Sequence, residues 1–289
     1  MSTNSPRPSK ADRREAARAE ALKLRDEAKR REKRNRMLAI GGLTAAVAVL
    51  VVAVILILGQ EAKPIAYRGS EPLDISQVTT PSAANDKGGI PVGTDRVAGS
   101  TVEGDAVVVE VVYDYQCSYC ATFEAANHAD IASLLESGNV QFIFRPVSFM
   151  DHASNGKEFS TRAANAAAVV ADRAPEHFLD FHAALFANQP TGNGLSDEEI
   201  ADIAREAGVP QEAIEEFTTS APDSDERVFS RWIAAATEYT GNELGGLATP
   251  TIIVDGQRFP GEGVDPNIIY QPGGLAAGVL ERKAERGLE

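Results

Sequence analysis

Two cysteines, Cys117 and Cys120, are the only ones in a chain of 289 residues, and they stand three apart. They follow Ala106 to Tyr113 (AVVVEVVY), a dense β-branched run that reads as a strand buried on both faces. Helical spacing then runs through Phe123, Ile131, Leu134 and Leu135 to a stop at Gly138. A cysteine that opens a helix meets unpaired backbone N–H groups and the positive end of the helix dipole, which lower its pKa to about 3.5–7.5 from about 8.5. Cys117 in that place is a nucleophilic thiolate. Cys120, one turn on, sits deeper and is near enough to attack a mixed disulfide on Cys117 and release the partner.

Three other readings of the pair compete. Zinc needs two further ligands, and His128, His152, His177 and His182 show no spacing that completes a site, so no metal is expected. A purely structural disulfide across so short a loop adds roughly 2 kcal/mol or less in the chain-entropy model. Two buried, unused thiols fit poorly with an oxidising compartment. Redox chemistry is the reading favoured by motif and compartment together. Elsewhere, Glu198-Glu199 and Glu215-Glu216 read as solvated helix faces, and no P-loop, dinucleotide fingerprint or serine-nucleophile elbow occurs.

The compartment is read from charge and hydropathy. The chain carries 28 Lys+Arg against 42 Asp+Glu, a net charge of −14. Residues 1–36 hold 13 basic and 6 acidic residues, whereas residues 60–289 hold 15 and 36. Between them, Met37 to Gly59 is 23 residues without a charge, about 35 Å as a helix and long enough to span a bilayer. A secretory signal has a shorter apolar region and a small-x-small cleavage site, and none follows in Gln60 to Pro64. The run therefore reads as an uncleaved single-pass anchor. Its basic flank (Lys29 to Arg36) keeps residues 1–36 in the cytoplasm and places the acidic body outside. Nucleic acid is not an expected partner of so acidic a body.

Four prolines and many small polar residues make 60–97 an extracytoplasmic tether, with a short strand near Gly89 to Val92. The strand before the cysteines, their helix and a second strand at Val140 to Phe144, ended by Arg145-Pro146, form a βαβ unit with a parallel pair. A helical region covers about 156–240, with breaks at Pro175, Gln189-Pro190, Pro210 and Pro222, a helix start at Ser196 and a core tryptophan, Trp232. Asp255-Gly256 between β-prone runs signals a hairpin, and a last helix is expected from about Pro266 to Arg286. These elements make one α/β domain over 98–289.

Tyr113 to Cys120 (YDYQCSYC), the helical insert, and Ala248-Thr249-Pro250-Thr251 before the hairpin together resemble the DsbA-like branch of the thioredoxin superfamily. The likeness covers about residues 88–285 and is strongest to membrane-tethered, extracytoplasmic Gram-positive (actinobacterial) forms. It implies a thioredoxin fold with a helical insertion. It also implies a cis Thr249-Pro250 bond beside the cysteines, so that Thr249 holds a client peptide as an added strand. Ser118 and Tyr119, between the cysteines, join Thr249 and Pro250 at the client-binding face. This branch more often has Pro and then His or an aromatic residue at 118 and 119, so no redox potential carries over. Relatives often place an acid six residues before the first cysteine, where this chain has Val111, with Glu110 on the other strand face and Asp114 the remaining acid.

The expected function is disulfide formation in secreted proteins, with unfolded, thiol-bearing clients and an integral-membrane, quinone-linked partner that reoxidises the pair. No cofactor is expected. A reductase or isomerase using the same site, and a non-enzymatic peptide-binding or chaperone module on the same fold, are the alternatives.

Overall fold

The structure, a computed structural model, describes residues 71–190, 192–220 and 226–288, with isolated positions between Lys29 and Tyr67 ahead of them. Apart from those positions, the basic tail, the apolar run and the start of the tether lie outside the described residues, and so does the expected membrane span. No helix among the described residues is long and apolar enough to cross a membrane.

The β-branched run forms β2 (Val107–Tyr113), and its neighbour in parallel is β3 (Val140–Pro146). α1 (Ser118–Glu136) makes the crossover and ends before Gly138, whose φ of +72° suits a residue without Cβ. Antiparallel strands β1 (Ile90–Val92), β4 (Thr251–Val254) and β5 (Gln257–Phe259) extend the sheet to the order β1-β3-β2-β4-β5. Asp255 and Gly256 make the hairpin turn, both at positive φ.

Between β3 and β4 lies the insert, with five α-helices among the described residues: α2 (Phe159–Arg173), α3 (Phe178–Ala187), α4 (Asp197–Glu206), α5 (Gln211–Thr218) and α6 (Ser230–Leu244). Every residue of α2 from Phe159 to Ala171 is buried, and its alanines let α3, α5 and α6 pack closely around it. Ser196 starts α4 with a reciprocal capping box to Glu199, and Trp232 of α6 is fully buried. Residue 222, one of the expected breaks, lies outside the described residues.

Three expectations need correction. The short strand expected near Gly89 to Val92 forms as β1, but it belongs to the domain and not to a tether: Ile90 and Val92 pair with Phe144 and Phe142 as an edge strand and are fully buried. β3 does not stop at Phe144 but continues through Pro146. Arg145 is tolerated there because Glu110 of β2 (3.0 Å) and Glu243 (2.6 Å) and Thr240 (3.1 Å) of α6 meet its guanidinium. The final helix is two pieces, a 3-10 turn at Pro266–Tyr270 and α7 (Gly274–Glu285), separated by Pro272 and by Gly273 at φ +82°. α1 thus lies between α3 on one flank and α7 with the preceding turn on the other.

Candidate active site

β2 delivers the cysteines at the C-terminal end of a central strand. Asp114 turns the chain: its carbonyl accepts from Cys117 N–H (2.9 Å) and its carboxylate from Gln116 N–H (2.9 Å). Cys117 then occupies the N-cap of α1 with extended backbone (φ −77°, ψ 113°), so the first N–H groups of the helix surround its sulfur. The Cys117 thiol also donates to the carbonyl of Thr249 across 3.3 Å, and the Thr249–Pro250 bond is cis. Hydrogen bonding from the Cys120 thiol and from the N–H groups of Cys120 and Tyr119 outweighs burial and holds the Cys117 pKa at about 6. Burial and the hydrogen bond to Cys117 push Cys120 well above the usual thiol range. Both cysteines are free thiols, Cys117 4% exposed and Cys120 1%.

This arrangement suits thiol–disulfide exchange: the ionised sulfur lies at the rim and the protonated one is enclosed behind it. Four expected site residues, Cys117, Cys120, Thr249 and Pro250, converge there. Ser118 is exposed on the first turn of α1, and Tyr119 is 64% exposed with its ring 6.0 Å from that of Tyr270.

No acid lies beneath the pair on β2, since Val111 is buried and Glu110 is engaged by Arg145 on the far face. Two other carboxylates are buried nearby. Asp114 accepts from Ser160 Oγ (2.6 Å) and Met150 N–H (3.0 Å) as well as Gln116, and burial raises its pKa to about 7 against those bonds. Glu124, one turn after Cys120 on α1, faces His128 Nδ1 (3.1 Å) and His182 Nε2 (3.6 Å), and His182 Nδ1 meets Tyr115 Oη at 2.9 Å. Burial alone raises the Glu124 pKa, but the two histidines overcome it and hold it at about 2.

Sequence reasoning missed Glu124, His182, Tyr270 and Gln189, whose side-chain amide donates to the carbonyls of Tyr115 (2.6 Å) and Cys117 (3.0 Å). The four-residue step from Cys120 to Glu124 placed both on one helix face and was the one available signal. The other three reach the site across gaps in sequence that no local pattern announces.

The thioredoxin family model matches residues 92–265. The chain is 25% identical to the MdbA thiol-disulfide oxidoreductase of Actinomyces oris, covering 73% of this chain and 96% of that one with a TM-score of 0.56. It is 26% identical to reduced DsbA from Mycobacterium tuberculosis, covering 67% and 91% with a TM-score of 0.52. A 112-residue stretch is 29% identical to the serine/threonine-protein kinase PknE of Mycobacterium tuberculosis, 37% of this chain but 20% of the kinase, so the match spans about a fifth of that curated relative. The chain belongs to the thioredoxin family. Within it the chain is DsbA-like, a thioredoxin fold with a helical insertion, and a protein thiol-disulfide oxidoreductase.

Proposed function

We propose that this enzyme introduces disulfides into secreted proteins outside the membrane, with Cys117 as the attacked and attacking sulfur. The contrast between the two thiols carries this reading. A Cys117 thiolate stabilised near pKa 6 beside a protonated Cys120 favours the dithiol form, so the disulfide form is the stronger oxidant. In the oxidised enzyme a client thiolate attacks Cys117 Sγ, the S–S bond breaks, and Cys120 leaves and takes up a proton. A second client thiolate then attacks the client sulfur of the mixed disulfide, a client disulfide forms, and Cys117 leaves as a thiolate. Two electrons have passed from client to enzyme. Thr249 and Pro250 hold the client strand, with Ser118 and Tyr119 beside the sulfur.

The basic flank and 23-residue apolar run support a single-pass anchor with its N-terminus in the cytoplasm. An integral-membrane partner returns the pair to the disulfide, and tethering raises its effective concentration. The test is to mix oxidised enzyme with a reduced, unfolded two-cysteine protein and count client disulfides. Stoichiometric client oxidation, lost in Cys117→Ser, is expected; failure to oxidise while reducing insulin-type disulfides would assign the reductase reading instead.

A further inference from the structure

We propose that Gln189, from the helical insert, is a positioning residue for the nucleophile: it fixes the 115–116 and 117–118 peptide units, which flank Gln116-Cys117, so that the first N–H groups of α1 stay aimed at the cysteine sulfur. The inference rests on Cys117 being the attacking thiol.

Gln189 follows the end of α3, and its Nε2 bridges two carbonyls, Tyr115 O at 2.6 Å and Cys117 O at 3.0 Å. The Cys117 carbonyl is also the first acceptor of α1, receiving Cys120 N–H (3.1 Å) and Ala121 N–H (3.2 Å). The orientation of the 117–118 peptide unit therefore decides where the next N–H groups point, and those of Tyr119 and Cys120 are the ones that support the sulfur. A reciprocal contact strengthens the clasp, because Gln116 Nε2 donates to Gly192 O at 2.9 Å. The segment after α3 thus grips the cysteine loop at Tyr115, Gln116 and Cys117. No other side chain among the described residues donates to the Tyr115 or Cys117 carbonyl. An uncharged amide suits this role: it donates to both oxygens without placing a charge beside a group that must ionise.

The test compares the parent with Gln189→Met, both full-length and reduced, a substitution that keeps the side-chain length and removes both donors. Cys117 ionisation is followed by thiolate absorbance and by the rate of iodoacetamide alkylation between pH 4 and 9. The titratable groups around the pair are Cys120, Tyr119 and Glu124 on α1, Tyr113 on β2 with Asp114 and Tyr115 after it, His182 on α3 and Tyr270 ahead of α7, and none is altered. The expected result is alkylation at pH 6 slowed about three- to tenfold, with parental rates at pH 9, because the ionisation midpoint has risen. An unchanged midpoint overturns the proposal, even if the melting temperature falls, since that is all a merely structural contact predicts. Gln189→Leu takes its place if the Met variant does not fold. A parent whose Cys117 neither ionises early nor exchanges overturns the reading of Cys117 itself, and the role of Gln189 with it.

Discussion

The rim of α1 and its underside lie one helical turn apart and treat the same chemical groups in opposite ways. At the rim Cys117 is surrounded by donors and ionises near pH 6, whereas on the underside Cys120 has its proton held well into the alkaline range. The carboxylates divide too. Asp114 meets only neutral donors and is carried up to about 7, while Glu124, also buried, is held at about 2 by two histidines. Burial pushes Cys120, Asp114 and Glu124 alike towards their protonated forms, and only at Glu124, where two histidines face the carboxylate, is that push reversed.

The largest expected effect breaks the comparison at its sulfurs. Cys117→Ser abolishes exchange, while Cys120→Ser accumulates a covalent enzyme–client disulfide visible on a non-reducing gel; equal behaviour of the two variants would mean the thiols are not differentiated. Next is the underside ion pair: Glu124→Ala leaves His182 buried without its carboxylate and lowers stability by about 3–5 kcal/mol in urea unfolding near pH 6. A loss within about 0.5 kcal/mol would show that the pair is not a charged one.

The acids also sharpen the contrast through pH. The depressed pKa of Glu124 contributes stability above its unfolded value of about 4.5, lost as pH falls towards 2. The raised pKa of Asp114 acts the other way, so its contribution declines as pH rises from about 4 to 7. Asp114→Asn removes that decline, on the order of 4 kcal/mol between pH 4 and 8 relative to the parent. A parallel pair of pH–stability curves would refute the assignment. The smallest effect is at the exposed tyrosine: Tyr119→Ala changes unfolding stability by less than about 0.5 kcal/mol while slowing mixed-disulfide formation with an unfolded client. Unchanged client kinetics would remove Tyr119 from the binding face.

The sequence disclosed what is local. The Cys117 pair after a β-branched strand, the Asp255-Gly256 hairpin and the Ser196 cap are each written in a few adjacent residues, and all three occur as expected. The resemblance added the cis bond at Pro250, which no local pattern would have singled out. The missed features depend on packing over long separations. Gln189 lies 72 residues from Cys117, and its amide finds the loop only because α3 runs back along α1. The short strand expected near Gly89 to Val92 occurs as β1, but its place at the sheet edge was not legible, because its partner, β3, supplies the register. The helix expected from about Pro266 to Arg286 is interrupted at Pro272-Gly273, a pair that seldom lies inside a helix.

An oxidase of this kind requires the disulfide to be the less stable state of the pair. The stabilisation of the dithiol form by the depressed Cys117 pKa is complete above about pH 9, declines as pH falls and is gone below about 6, so about a third of it acts at pH 7. The most direct measurement is the equilibrium redox potential of the full-length protein against glutathione at pH 7. The account predicts a value at or above about −180 mV. A value near about −270 mV, in the range of a reducing thioredoxin, would contradict it.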